Sequence, residues 1–387
     1  MISYGDQELF EFKIIYSLLS QRKVEMAYRE TNFTRDFLKM VTSLSYCTNI
    51  SFSEDNKERR LIFKPGSIIG GKHKIDCKQT PISRFLVPIL IIAPFSRKVF
   101  DITFTGITNE DGYVSCDSIR LIYMKTYKHF NVPNVNMTIN KRGFGPLGMG
   151  EVRFTSPNVT NLEAINYYVE KLHKIRGMAI TSRVNASIAH NMIEIIKKTL
   201  RDDTDDSEDV SNEEGEHFSD SDDENKQNVT LTKNIKIFCD IANRNDSGPS
   251  PGYQCTLFAE GNNFYFGESC KTSIQEDFEQ KIVEQTGKNE TKNLSDIVDE
   301  AVLELLESIQ HGGAFDRKCN PVLFSFLCLN LQDVSKVEIG PLSVNDKKIL
   351  SLLNDFFAFN YEIIIENGRT VFKCFGINYT NYFKIIQ

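Results

Sequence analysis

The sequence predicts an α+β fold, in which sheets of short strands carry helices packed on one face. One observation is the helical spacing of apolar residues, seen over residues 33–45 and again over 118–129. The other is the alternation of apolar and polar residues between them, clearest in VFDITF at 99–104 and VNMTI at 135–139. Because helices and strands interleave along the chain, we expect one supersecondary unit repeated at roughly hundred-residue spacing.

Each element is predicted from its own local pattern. The strands, which alternate or form short apolar runs, are expected at residues 50–52, 61–63, 99–104, 135–139, 229–240, 255–266, 361–365 and 370–374. The helices, which repeat apolar residues every three or four positions, are expected at 33–45, 118–129, 295–310 and 346–357. The Glu-Asn-Gly sequence at 366–368 predicts the turn between the last two strands.

The charge is distributed unevenly along the 387 residues. Thirteen acidic residues and no Lys or Arg lie between Asp202 and Glu224, so the formal net charge of −7 becomes +6 for the rest. This tract has too few apolar residues to order itself, and it is either a solvated loop or a contact with a basic partner. The nine Cys are scattered without a CxxC pair, which indicates reduced thiols, and no membrane span or signal pattern is present.

A glycine-rich loop at residues 141–152, KRGFGPLGMGEV, separates two strand-like stretches. Glycine permits positive φ and a close backbone approach to a ligand, so consecutive N–H groups can converge on a phosphate, while an arginine can add two parallel hydrogen bonds. The loop therefore predicts an anion site. Its candidate phosphate- or RNA-binding residues, with a basic pair from an earlier segment, are Lys141, Arg142, Gly143, Gly145, Gly148, Gly150, Arg97 and Lys98.

Two nucleotide-binding patterns match in spacing alone. Gly143, Gly145 and Gly148 satisfy G-x-G-x-x-G, but the next residues alternate like a strand, whereas that motif needs a helix there. GSIIGGK at 66–72 has the Walker spacing, yet His73 stands where a magnesium-binding hydroxyl belongs. The six His show no zinc spacing and no nucleophile motif occurs. We therefore predict no catalytic residue, no metal and no cofactor.

Six segments together resemble the RNA 3'-terminal phosphate cyclase family. The glycine-rich loop is similar to the family signature Arg-Gly-x-x-Pro-x-Gly-Gly-Gly-x-Val. The other similar segments are KPGSIIGG at 64–71, LVPILIIAPFSRKVFDITFTGIT at 86–108, SGPSPGYQCTLFAE at 247–260, GGAFD at 312–316 and QDVSKVEIGPLS at 332–343. They follow the family's order along the whole chain.

The resemblance implies a large domain of three related α+β units that is interrupted by a smaller inserted α/β domain. On this basis the large domain is expected to comprise residues 1–183 and 281–387, and the insert residues 184–280. A disordered acidic insertion at 202–228 would then lie inside the insert.

This chain departs from the family where the family's chemistry is carried out. The resemblance implies that active cyclases use a histidine near the C-terminus, which attacks ATP and carries AMP. Here the last histidine is His311, and Val344 stands nearest the expected place. Leu147 replaces a phosphate-binding lysine, and Met149 replaces a signature glycine, where a side chain would crowd an anion. These changes predict that the chain is not an enzyme, and they leave phosphate contact and packing as alternative roles for the loop.

The resemblance is specifically to the ribosome-biogenesis branch found in eukaryotes, and it implies a non-catalytic factor of the nucleolus. Such a protein would join the small-subunit processome with a small nucleolar ribonucleoprotein, bind a ribosome-assembly GTPase, and support early pre-rRNA processing toward 18S rRNA. Pre-rRNA is a further expected partner, and a membrane is not. GPSPGY at 248–253 and the exposed helices are candidate docking surfaces. The alternative function is an endoribonuclease that cleaves pre-rRNA.

Overall fold

The computed structural model describes residues 1–55, 58–205, 234–261, 265–273, 293–382 and 384. Within these ranges the α-helices are α1 Phe10–Ser20, α2 Asn32–Leu44, α3 Ile82–Ile92, α4 Cys116–Ser118, α5 Met124–His129, α6 Ser187–Asp205, α7 Leu294–His311, α8 Asn320–Leu329 and α9 Val344–Phe357. The strands are β1 Ile2–Tyr4, β2 Val24–Ala27, β3 Ser45–Tyr46, β4 Asn49–Asp55, β5 Glu58–Lys64, β6 Ser67–Ile68, β7 Gly71–Pro81, β8 Phe100–Ile107, β9 Asn136–Lys141, β10 Gly150–Ser156, β11 Asn166–Tyr167, β12 Lys174–Ser182, β13 Ile235–Ala242, β14 Gly252–Glu260, β15 Tyr265–Ser273, β16 Val334–Glu338, β17 Tyr361–Glu366 and β18 Arg369–Phe375.

Three four-stranded sheets share one topology, in which a parallel pair is followed by two antiparallel pairings. Their strand orders are β1-β2-β5-β4, β7-β8-β10-β9 and β11-β16-β18-β17. A parallel pair needs a crossover, and α1 and α3 supply it in the first two units. The α+β fold class is therefore confirmed, and the repeat that residue identity barely indicates is plain in the strand order.

A fourth sheet, of order β13-β12-β14-β15, interrupts the third unit between β11 and β16. Its parallel pair is β12 with β13, which α6 connects, and α7 packs against β14, β15 and α6. The predicted insert limits of 184 and 280 stay a prediction. Strand β12 begins before residue 184 but is hydrogen-bonded to β13 and β14 of this sheet. Helix α7 begins after residue 280 but packs against the same sheet.

The acidic segment is described only at its beginning. Helix α6 continues to Asp205, so the first residues of the predicted disordered insertion at 202–228 are helical. Its remaining residues, 206–228, lie outside the described part of the chain. The same holds for residues 229–233 of the predicted strand at 229–240, which begins in the structure as β13.

The sequence locates three amphipathic helices, α2, α7 and α9, but misses the amphipathic α6 and the buried helices. Helix α2 matches the predicted 33–45 and begins at a capping box formed by Thr31 and Thr34. The predicted helix at 118–129 is divided into α4, a π-helix at Ile119–Tyr123, and α5. Helices α1, α3 and α8 are absent from the predicted set, and nearly all of their residues are buried, so few polar positions mark an exposed face.

The buried helices form the centre of the large core. Helix α1 contacts α3 and α9, and α8 contacts the same two helices, so one helical layer joins the units. The Tyr16 hydroxyl on α1 lies 2.8 Å from Ser325 Oγ on α8, and both side chains are fully buried. Within the described ranges, no helix is both long and apolar enough to cross a bilayer.

Candidate functional site at the glycine-rich loop

The glycine-rich loop connects the antiparallel strands β9 and β10 at one end of the second sheet. A cis peptide bond joins Gly145 and Pro146, and φ is positive at Gly148 (61°) and Met149 (58°). Strand β10 begins at Gly150, so the prediction that a strand follows the glycines is confirmed. The loop therefore lacks the helix N-terminus that a dinucleotide fingerprint requires.

Three of the loop's glycines are required by close packing against backbone. A Cβ on Gly143 would lie 2.3 Å from the amide nitrogen of Gly150, and one on Gly150 would lie 2.7 Å from the same atom of Gly143. A Cβ on Gly148 would lie 2.9 Å from the carbonyl carbon of Gly106 on β8. Gly145 differs, because a Cβ added there would have its nearest neighbour, Ile107 Cδ1, 3.8 Å away.

A second loop, residues 246–252, leads into β14 and packs against the glycine-rich loop. Arg142 N–H donates to the Asp246 carbonyl at 2.9 Å, and Gly248 N–H donates to the Arg142 carbonyl at 2.6 Å. Leu147 N–H donates to Ser250 Oγ at 3.1 Å. A Cβ on Gly248 would meet the carbonyl oxygen of Gly148 at 1.7 Å, so the two backbones touch.

The expectation that GPSPGY is an open docking surface is corrected by this packing. Ser250 is fully buried, and a Cβ on Gly252 would meet the Phe144 ring at 2.5 Å. The segment packs against the glycine-rich loop because its small residues allow that approach. It joins the fourth sheet to the second sheet.

Arg142 is buried and forms ion pairs within the protein. Its guanidinium donates to both carboxylate oxygens of Asp117, with one distance of 3.0 Å, and to Asp240 at 2.5 Å. Burial by itself would raise the pKa of Asp117, but the charges of Arg142 and Arg120 and the Arg142 hydrogen bonds hold that pKa below its ordinary value. The Arg142 guanidinium, which the sequence predicts to bind a phosphate, therefore binds carboxylates on α4 and β13 instead.

Of the remaining candidate cations, Lys141 lies at the loop, whereas Arg97 and Lys98 do not. Lys141 is partly exposed at the end of β9. Arg97 and Lys98 precede β8 at the opposite end of the same sheet, because Phe100 pairs with Ser156 whereas Gly106 pairs with Gly150. The six-residue step from Phe100 to Gly106 separates the two ends of β8 by about 20 Å. The exposed tip of the loop instead carries Leu147 and Met149, which are apolar.

The position expected for a nucleophilic histidine carries a valine. Val344 is the first residue of α9 and is 68% exposed, and Ser343 and Asp346 cap the helix there. Lys348 of the same helix forms an ion pair with Glu8 at 2.7 Å, which places the start of α9 beside the loop after β1. His311 ends α7, and its Nε2 lies 3.2 Å from the Pro341 carbonyl oxygen.

Sequence reasoning missed the polar contacts that join the sheets. Besides the Arg142 ion pairs, Asn109 Nδ2 donates to Gln254 Oε1 at 2.6 Å, and both residues are buried. Asp117 and Asp240 carried no local signal, since an acidic residue in a helix or strand is ordinarily solvated. In the described part of the chain, no three His, Cys, Asp or Glu side chains form a group that could hold a metal.

Three repeated units, a fourth sheet inserted in the third unit, and a glycine-rich loop at their junction define an α+β protein built from a repeated supersecondary unit. The model of the RNA 3'-terminal phosphate cyclase family matches residues 7–363. The chain therefore belongs to that family.

Relatives across eukaryotes are similar over most of their length. A probable RNA 3'-terminal phosphate cyclase-like protein of Arabidopsis thaliana is 30% identical over 83% of this chain and 80% of its own. The rRNA processing protein RCL1 of Saccharomyces cerevisiae is 24% identical over 99% and 97%. The RNA 3'-terminal phosphate cyclase-like protein of Homo sapiens is 26% identical over 100% and 98%.

Proposed function

We propose that this protein is a non-catalytic ribosome biogenesis factor of the small-subunit processome, required for early pre-rRNA processing toward 18S rRNA. It lacks RNA 3'-phosphate cyclase activity. The family, together with relatives whose names specify rRNA processing, supports the rRNA pathway. A nucleolar location follows from that pathway.

The observation that carries the non-catalytic proposal is the absence of histidine after residue 311. A covalent adenylate needs a free imidazole to form a phosphorus–nitrogen bond, and valine offers no lone pair. Val344 is exposed at the first turn of α9, no histidine follows it in the chain, and the Nε2 atom of His311 lies 3.2 Å from the Pro341 carbonyl oxygen.

Incubation with ATP labelled at the α-phosphate tests this directly. We expect no covalent label on the purified chain under conditions that label an active cyclase run in parallel. Label that survives denaturing electrophoresis would overturn the non-catalytic proposal, whichever residue carried it.

The role in processing is tested by depletion in the protein's own cells. We expect loss of 18S rRNA and accumulation of uncleaved precursor, both restored by the wild-type chain. Purified protein should leave a pre-rRNA spacer fragment intact with and without divalent metal. Cleavage abolished by a point substitution would instead establish the endoribonuclease alternative.

The main contact we propose is with a ribosome-assembly GTPase, within the small-subunit processome and its small nucleolar ribonucleoprotein. Affinity purification from nucleolar extract, followed by reconstitution with the purified GTPase, tests this contact. If the two pure proteins do not associate, the direct contact is wrong, but the proposed role in pre-rRNA processing is unaffected.

Direct contact with pre-rRNA phosphates is assigned to Lys141, because Arg142 is occupied by carboxylates and Arg97 and Lys98 lie at the far end of β8. Lys141→Ala should reduce RNA crosslinking at the loop. Lys347→Ala, on the exposed side of α9, is the matched control. Equal crosslinking by both variants would leave the loop with a packing role alone.

A further inference from the structure

The first sheet ends in an edge strand that lies beside a helix with a groove between them. Among the strands that the structure describes, β4 pairs only with β5, and the register from Asn49 to Asp55 has no bulge. Helix α2 forms the facing wall, and the groove encloses about 570 Å³. An edge strand presents unpaired backbone donors and acceptors, which natural proteins usually blunt or cover.

The groove has an apolar floor. Leu38 of α2 is 5% exposed, and Ile50 of β4 lies partly buried opposite it. Tyr28 and Phe52 close one end, with their ring centroids 5.1 Å apart. Alternate residues of an extended peptide point to the same side, so a strand added at β4 would direct every second side chain toward this floor.

The rim is mainly cationic. Arg35, Lys39 and Arg59 line the groove with exposed fractions of 42%, 69% and 44%, against the single lining carboxylate Glu30. Asp36 lines the adjacent pocket on α2, where it accepts from Lys78 at 2.7 Å, and it also pairs with Arg35 at 3.5 Å and Lys39 at 3.6 Å. Arg59 in turn pairs with Glu30 at 2.8 Å, so three rim cations face two carboxylates, and the excess positive charge favours an acidic occupant.

We propose that the groove between α2 and β4 binds an extended segment of a partner protein in which apolar residues alternate with acidic ones. The segment adds to β4 as a further strand, places its apolar side chains over Leu38 and Ile50, and directs carboxylates toward Lys39. Backbone pairing gives affinity and the pockets give specificity in this mode of recognition. The inference stands apart from the proposed function, since such binding does not depend on rRNA.

A peptide fits this groove better than single-stranded RNA. The Arg59 guanidinium already lies over one face of the Phe52 ring at 4.2 Å from its centroid, and Tyr28 is 6% exposed, so the stacking surface for a base is limited to the rest of the Phe52 ring, which is 44% exposed. The floor is aliphatic, and the edge strand supplies a ladder of backbone groups that a peptide can use.

The test uses the full chain and a labelled, capped peptide of about nine residues that alternates leucine and aspartate, a length that spans one edge strand. We expect saturable binding with Kd between about 1 and 100 μM, and none for the peptide with lysine in place of aspartate. Lys39→Glu should weaken binding at least about fivefold, whereas Lys347→Glu on α9 should not. No saturable binding, or equal loss in both variants, would overturn the proposal.

Hydrogen exchange locates the peptide without relying on substitutions. Slower exchange confined to residues 35–43 and 49–55 supports strand addition at β4, and protection elsewhere contradicts it. Lys39-dependent binding of a uridine decamer in place of the peptide would assign the groove to RNA. Binding that occurs only after deletion of residues 206–228 would identify this chain's own acidic tract as the occupant and overturn the partner assignment.

Discussion

At the scale of single residues, Arg142 shows how a residue of a binding signature can act within the protein. Its charge is balanced by Asp117, which is fully buried, and by the partly exposed Asp240. A buried charge of this kind is tolerated only because it is paired and hydrogen-bonded. The residue therefore connects α4 and β13, which belong to different sheets.

Replacing Arg142 by alanine should destabilise the fold by about 3 to 5 kcal/mol, because it leaves Asp117 buried without its partner. Urea unfolding followed by circular dichroism measures the loss. Arg153→Ala is the matched control, since Arg153 pairs with Asp101 on the solvent-exposed face of the second sheet. Equal stability of the two variants would show that the Arg142 pairs are energetically unimportant.

Acidification should weaken the same pairing. The folded-state pKa of Asp117 lies below its unfolded value of about 3.9, so its contribution to stability is full above about pH 5 and is lost as pH falls through the folded pKa. We expect the difference in unfolding free energy between the wild type and Asp117→Asn to shrink between pH 6 and pH 3. A difference that stays constant would assign the acid sensitivity to other carboxylates.

At the scale of elements, two loops at the ends of β9 and β14 interlock through main-chain contacts. The glycine-rich loop and residues 246–252 exchange backbone hydrogen bonds at Arg142 and approach most closely at Gly148 and Gly248. The glycines therefore allow the two loops to pack closely. This supports packing over phosphate contact, the two roles that the sequence leaves open for the glycine-rich loop.

Gly248→Ala should lower the free energy of unfolding by at least about 2 kcal/mol, because its Cβ would overlap the Gly148 carbonyl oxygen. Gly145→Ala in the facing loop should change it by less than about 1 kcal/mol, because the added methyl meets nothing closer than 3.8 Å. Thermal unfolding compares the two. A mild effect at Gly248 would mean that the loops separate at little cost.

At the scale of the whole molecule, the three units share one helical layer. Helices α1, α3, α8 and α9 pack together, and the buried apolar residues of all units belong to a continuous cluster. The layer explains why the units do not need separate cores. Contacts such as Tyr16 with Ser325 join residues that are more than 300 positions apart.

Tyr16→Ala should therefore destabilise the first and third units together, by about 3 to 5 kcal/mol, since it leaves a large cavity in the shared layer. The chain has no Trp, so hydrogen exchange by mass spectrometry is the suitable measurement. We expect faster exchange in α1 and α8 alike. Faster exchange confined to α1 would contradict a cooperative large domain.

The sequence by itself determined the α+β class, the amphipathic helices α2, α7 and α9, the strand after the glycine-rich loop, and the lack of an imidazole after His311. Each of these depends on residues that are adjacent or one helical turn apart, so local periodicity and composition reveal them. The buried helices α1, α3 and α8 were missed because they have few polar positions to mark an exposed face, and the amphipathic α6 was missed as well.

Only the tertiary structure decided the partners of Arg142, the packing of GPSPGY, the separation of Arg97 and Lys98 from the loop, and the groove beside β4. Asp117, Arg142 and Asp240 come from three distant segments, and sheet pairing brings them together. A positive side chain next to glycines has the same local pattern whether it faces a phosphate or a buried carboxylate. Which partner the positive side chain binds depends on the groups that the rest of the chain places opposite that side chain.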